Sequence, residues 1–396
     1  MKKDFREIFL PSKPISDKSL FFGRNTQIDL LLENLKRPGI HPVIYGNRGV
    51  GKTSLVNVTL TYNEFCNRKI YFYSTNRKTT FHSFSVSLLS FLGLFGTFSE
   101  KANEDGDQFN ASGGIFNFKI GLTTSKKTSE TINSFKINEI GPWELFTFLN
   151  EINEKVIIVI DDLENAYIGK TDFAELLTDF IKVLTDRDCK SDPRIIIVGV
   201  AENVDAILSD HPSIERAIVE IQVPILEPED LLLYLNATEE RILESFEIEV
   251  KQKIAFDSLG YPYYVNLVAL ETLAITNKQN RKTANLSDLL EGINNAIYRA
   301  FHTELRKYKN VEYTLAYEEY LILEQIMLLI GFNSNISVDK VQEKLDYRKH
   351  LKDEDFYSHL EGLTSKNIIT LKDGEIRFAL PLFAPFFRRK ILKINA

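Results

Sequence analysis

Cysteine is nearly absent from this chain. Only Cys66 and Cys189 occur in 396 residues, far apart and without metal-type spacing, so neither a disulfide framework nor a zinc site is indicated. Long apolar runs are missing too: no stretch approaches the roughly 18 uninterrupted residues of a membrane span. The opening "MKKDFREIFLPSKP" is basic but lacks the apolar core of a signal peptide. A reducing cytoplasm is the expected setting, without a membrane partner. Nor is there an excess of positive charge. With 48 basic and 55 acidic residues the net charge is -7, so nucleic-acid binding would need a local basic patch.

What remains is the composition of a folded protein, 44% hydrophobic and 26% charged, with 28 Phe and 16 Tyr. The length implies more than one core. Between residues 40 and 200, short apolar runs alternate with longer amphipathic stretches, the pattern of a parallel sheet with crossover helices. Strands are expected at 41–46, 69–75, 155–161 and 194–200, and helices at 52–62, 79–95, 142–153 and 171–186. A polar, Gly-containing stretch at 99–131 interrupts this rhythm; it reads as an inserted hairpin, a surface loop or a partner-contacting excursion. From Glu227 the pattern turns helical. Near Tyr313 a further unit begins, with three helices and then strand, Asp-Gly turn, strand, the order of a winged helix. The expected domains are an N-terminal extension (1–19), an α/β core (20–226), a helical lid (227–312) and a winged helix (313–396).

The run Gly46-Asn47-Arg48-Gly49-Val50-Gly51-Lys52-Thr53 satisfies G-x-x-x-x-G-K-[ST] between an expected strand and an expected helix. Its glycines let successive N–H groups curl round a β-phosphate, and the following helix, opening through Ser54, adds its positive end. Lys52 would bridge the β and γ oxygens, and Thr53 would offer its hydroxyl to Mg²⁺. At 156–160 an apolar strand runs into Asp161-Asp162-Leu163-Glu164. There Asp161 would hold the Mg²⁺ shell and Asp162 would orient or deprotonate the attacking water. The strand at 194–200 leads into Ala201-Glu202-Asn203, where Asn203 is either a sensor of the γ-phosphate or a helix cap. Arg216 is either an arginine finger acting in trans or a surface residue paired with Glu215 or Glu220.

Together these motifs resemble the AAA+ ATPases, in particular the branch near the origin-recognition-like and STAND ATPases. The resemblance covers most of the chain. It includes "LFFGR" (Leu20 to Arg24), similar to the hhGR box, which implies that Gly23 and Arg24 lie near the adenine; Asn25-Thr26-Gln27 stands where an acid usually follows. "LGYPYYVNLVALE" (259–271) is similar to the lid-helix opening and carries Gly260-Tyr261-Pro262, like the Gly-x-Pro of STAND proteins, where a sensor arginine often stands. The implied role of Pro262 is packing near the base. Asp161-Asp162 likewise resembles the STAND acid pair more than the Asp-Glu of AAA+ motors.

The resemblance therefore implies a P-loop core, an all-α lid and a winged helix, with ATP or ADP and Mg²⁺ bound between core and lid. The expected role is a slowly hydrolysing switch whose nucleotide state governs assembly with a protein effector or with further copies of itself, in signalling or anti-phage defence. The rival is an origin-recognition-like or transposition-type loader that oligomerises on DNA. From Glu318 to Ala396 twelve acidic residues balance twelve basic ones, and the expected recognition helix carries Asp353, Glu354, Asp355 and Glu361 against Lys366. Phosphates would be repelled along that face, so DNA is not the favoured partner.

Overall fold

The computed structural model describes residues 2–94, 96–98, 116–118, 136–137, 139–199, 212–300, 315–330, 335–346, 353–366 and 368–379. In chain order the first elements are α1 (Phe5–Ile8), α2 (Asn25–Lys36), β1 (His41–Tyr45), α3 (Lys52–Leu60), β2 (Arg68–Ser74) and α4 (Phe81–Phe91). Three short strands follow, β3 (Gly96–Phe98), β4 (Phe116–Phe118) and β5 (Lys136–Ile137). Then come α5 (Pro142–Asn150), β6 (Lys155–Asp161), α6 (Glu164–Gly169), α7 (Phe173–Asp186), β7 (Arg194–Gly199) and β8 (Ile218–Gln222).

The chain divides into two compact units, and the division cuts through the phosphate loop. One unit holds Thr26–Asn47 and Thr59–Val223; the other gathers Met1–Asn25, Arg48–Val58 and Pro224–Ala396.

The first of these is the α/β unit. Its sheet runs β2-β6-β7-β1-β8, and every neighbouring pair is parallel. β6 and β7 are almost pure β-branched runs, and Val156 to Ile160 are fully buried, as a strand covered on both faces requires. In α7 the apolar residues Phe173, Leu177, Phe180, Ile181 and Leu184 recur at helical spacing and join the core. Register fixes where the chemistry falls: Tyr45 lies opposite Gly199 and Ser74 opposite Asp161. The carboxyl ends of β1, β2, β6 and β7 thus share one sheet edge. At the other edge His41 is fully buried; its Nδ1 accepts from Ile195 N at 3.1 Å, and burial, aided by the charge of Arg194, pushes its pKa down to about 3. Within the expected insertion, β4 pairs antiparallel with β3 and β5; most of 99–131 lies outside the described residues.

In the other unit the lid helices are Pro228–Glu239, Ile248–Asp257, Pro262–Lys278 and Leu286–Ala300. Leu259 and Gly260 take left-handed φ of 48° and 80°, which ends one helix and re-aims the next. The sequence suggested helices alone here, but Ser245–Phe246 and Thr283–Ala284 form a two-residue parallel pair, too short to show any alternation. The C-terminal part has helices Tyr317–Leu329, Val338–Asp346 and Asp353–Ser365 with strands Asn335–Ser337, Ile369–Lys372 and Glu375–Phe378. Asp373 and Gly374, with φ of 52° and 75°, make the tight turn of the wing. The strand Asn335–Ser337, which the sequence did not announce, completes a three-stranded antiparallel sheet. No helix among the described residues is long and apolar enough to cross a membrane.

Candidate nucleotide site

The phosphate loop leaves β1 at Gly46 and enters α3 at Lys52. Gly49 and Gly51 have φ of 85° and 97°, a region L-residues avoid and a loop of inward-facing N–H groups needs. Asn47 and Arg48 are exposed, Val50 is buried, and Lys52, Thr53 and Ser54 are half-buried. Ser54 Oγ accepts from Ile15 N at 3.0 Å, fastening the N-terminal segment to the first turn of α3.

The outer side of the loop is gripped from elsewhere in the same unit. Arg24 is 2% exposed; its Nη2 donates to Val50 O at 3.2 Å and to Pro224 O at 2.5 Å. Burial lowers the Arg24 pKa to about 10, partly offset by Asp230, so the guanidinium stays charged at neutral pH. Gly23 beside it has no room for a side chain: a Cβ would stand 2.3 Å from Asp230 Oδ2. Tyr263 N approaches Gly49 O at 3.5 Å, and its Cβ lies 3.3 Å from where a Gly49 Cβ would be. Burial raises the Tyr263 hydroxyl pKa, against the opposing charge of Arg48. Pro262, the first residue of its helix, accepts from Asn266 Nδ2 at 2.9 Å.

Beside this grip lies an open hollow of about 510 Å³ lined by apolar residues such as Phe9, Tyr263 and Leu267 and by charged ones, Arg6, Lys13 and the ion pair Glu271–Arg299.

In the α/β unit the acid pair ends β6. Asp162 is a non-glycine residue at φ 58°, held there by its neighbours: Thr75 Oγ1 and Asn165 N donate to its carbonyl at 2.6 and 2.9 Å. Asp162 N donates to Asp161 Oδ1 at 2.9 Å. Its carboxylate accepts from Ser74 Oγ at 2.9 Å. Ser74 ends β2, the strand on the side of β6 away from β7 and β1. Glu164 points the other way: its Oε2 is 3.6 Å from where a Gly199 Cβ would be, buried and without a hydrogen-bond partner among the described residues.

In the unit that carries Lys52 and Thr53 the loop offers backbone N–H groups, an ammonium and a threonine hydroxyl, which suit a nucleoside phosphate; in the α/β unit the acid pair offers carboxylates of the kind a hard divalent cation takes. Asn203 lies outside the described residues. Arg216 sits on the 3-10 turn Pro212–Ala217, 78% exposed, with its Nη2 3.8 Å from Asp186 Oδ1, rather than paired with Glu215 or Glu220. At that distance and exposure the pair constrains little. Ser74 and Asp230 carried no sequence signal, because both reach the motifs through strand order and chain reversal. Tyr263 adjoins a motif that drew attention to Pro262 instead.

A family model described as an ATPase domain predominantly from Archaea matches residues 21–242. Among solved structures, a Walker-type ATPase of Pyrococcus abyssi is 16% identical with a TM-score of 0.55, covering 98% of this chain and 100% of its own. The ORC2 protein of Aeropyrum pernix, solved as ADPNP–ADP complexes, is 12% identical with a TM-score of 0.56, covering 99% and 98%. The ORC1 protein of Aeropyrum pernix in complex with DNA is 13% identical with a TM-score of 0.51, covering 99% and 98%. At these identities the likeness is one of fold. No curated protein matches the chain.

Proposed function

This chain belongs to the family described as an ATPase domain predominantly from Archaea, and on that premise we propose that it is a nucleotide-controlled switch that holds ATP or ADP firmly and hydrolyses ATP slowly. Lys52 and the loop amides would hold the phosphates, and Thr53 and Asp161 would complete the shell of a Mg²⁺ ion. When bound, Mg²⁺ offsets phosphate charge. Asp162 would orient the attacking water, with Asn203 and an in-trans Arg216 as further polar contributors.

One observation carries the slow-turnover reading: the Asp162 carboxylate rests on Ser74, on the β2 side of β6 and away from the strand that leads into the phosphate loop. Turning that oxygen from Ser74 to an attacking water would cost the bond, about 1 kcal/mol. The ATP and ADP states would then differ for long enough to be read by a partner, either a separate effector or a second copy of the chain. That partner could act in signalling or anti-phage defence.

The loader reading is less well supported. Lys366, the base expected on the recognition helix, is paired with Glu319, a carboxylate only 3% exposed, so its charge is already matched. The test is to identify the nucleotide carried by the purified protein and to measure turnover with and without duplex DNA. Bound ADP with negligible turnover in both conditions is expected. DNA-stimulated hydrolysis, together with affinity that falls steeply with salt, would favour the loader instead.

A further inference from the structure

The Arg24 guanidinium is positioned to shape the phosphate cradle through its backbone, at the Val50 carbonyl. In a trans peptide the C=O of one residue and the N–H of the next point in opposite directions. Fixing a loop carbonyl outward therefore aims the following N–H inward. Val50 O is fixed by Arg24 Nη2 at 3.2 Å, and the N–H in that peptide plane belongs to Gly51. Gly49 O faces Tyr263 N, and the N–H in that plane belongs to Val50. Two consecutive amides of the cradle are thus oriented from behind.

We infer that Arg24 is a positioning residue that pre-aims the Gly51 amide at the β-phosphate and, through its second bond to Pro224 O, ties that amide to the segment from which the lid begins. The surroundings fit this role. Arg24 is buried, and Asp230 of helix Pro228–Glu239 provides its counter-charge. Leu226, two residues past Pro224, donates its N–H to Gly260 O at 2.8 Å. The segment before the lid at 224–226, the lid residues at 260–263 and the loop at 49–50 therefore share one hydrogen-bonded frame, and Arg24 is the side chain that spans it. A shift of the Pro224 carbonyl would pull on the guanidinium and so on the Val50 peptide, which makes phosphate affinity depend on lid position.

The inference rests on reading the loop as a phosphate holder, and the test separates the two. ADP and AMP affinities are measured for the wild type, Arg24→Met and Arg24→Lys. Methionine keeps the apolar stem and loses the donors; lysine keeps a charge that can still reach one carbonyl. ADP should bind about tenfold more weakly to R24M, the loss of one charge-assisted hydrogen bond, with AMP affinity unchanged because AMP has no β-phosphate. R24K should recover part of the loss. Equal weakening of both ligands, or undiminished ADP binding, overturns the inference. If R24M does not fold, R24K alone must show an ADP-selective loss. A wild type that binds no ADP would instead defeat the reading of the loop itself.

Discussion

At Gly49 and Val50 the backbone is held by a buried arginine and by the first turn of a lid helix. At Asp162 the carboxylate is held by Ser74, an exposed serine on the neighbouring strand. The first arrangement sets donors in place before any phosphate arrives, and preorganised donors cost little to use. The second ties one oxygen of the carboxylate proposed to act in hydrolysis to a neighbouring side chain. A protein built this way should bind well and turn over poorly, which is the behaviour of a switch rather than a motor.

The largest expected effect separates the two regions most cleanly. Asp162→Asn should leave nucleotide affinity intact and lower single-turnover hydrolysis by about 100- to 10,000-fold, the usual contribution of a general base. Normal hydrolysis in that variant would move the role to Glu164, whose buried Oε2 faces Gly199. Lys52→Ala attacks the other side of the comparison. Equilibrium titration should show ADP and ATP binding about a hundredfold weaker, as for a lost ammonium–phosphate contact.

These two variants fall on residues legible in the sequence, because both motifs are local. Gly46 to Thr53 specifies its own loop and helix start, and an apolar strand ending in acid specifies its own sheet edge. The parallel sheet was legible for a similar reason: β6 and β7 are short apolar runs bounded by polar turns. Ser74 was not, since only the strand order β2-β6-β7-β1-β8 places β2 beside β6. The grip on the loop was half legible. "LFFGR" and "GYPYY" both stand out, but that Arg24 bonds a carbonyl of the loop, 26 residues away, and the Pro224 carbonyl, 200 residues away, is something no local pattern encodes.

The smaller effects refine the contrast. Ser74→Ala should release Asp162 and raise steady-state ATP turnover about fivefold, the equivalent of one ordinary hydrogen bond, with ADP affinity unchanged. A fall in turnover would mean that Ser74 supports the base rather than restraining it. Acid should act on the α/β unit through His41. Its folded pKa is pushed down to about 3, chiefly by burial, so between that value and its ordinary value the unfolded chain binds more protons than the folded one. Stability therefore falls as pH drops through this window, by at most about 1.4 kcal/mol per pH unit. Thermal unfolding should show Tm decreasing by a few degrees per unit below about pH 6.5. His41→Asn should flatten that dependence; an unchanged slope would assign the acid sensitivity to other groups.

The most direct test of a firm clasp with a restrained base is to measure ADP affinity and ATP turnover on one preparation of the wild-type protein without partners. The account predicts a Kd of about 1 μM or tighter with kcat below about 1 per second, under the range common to enzymes. Weak ADP binding combined with kcat of about 1 per second or more would contradict it.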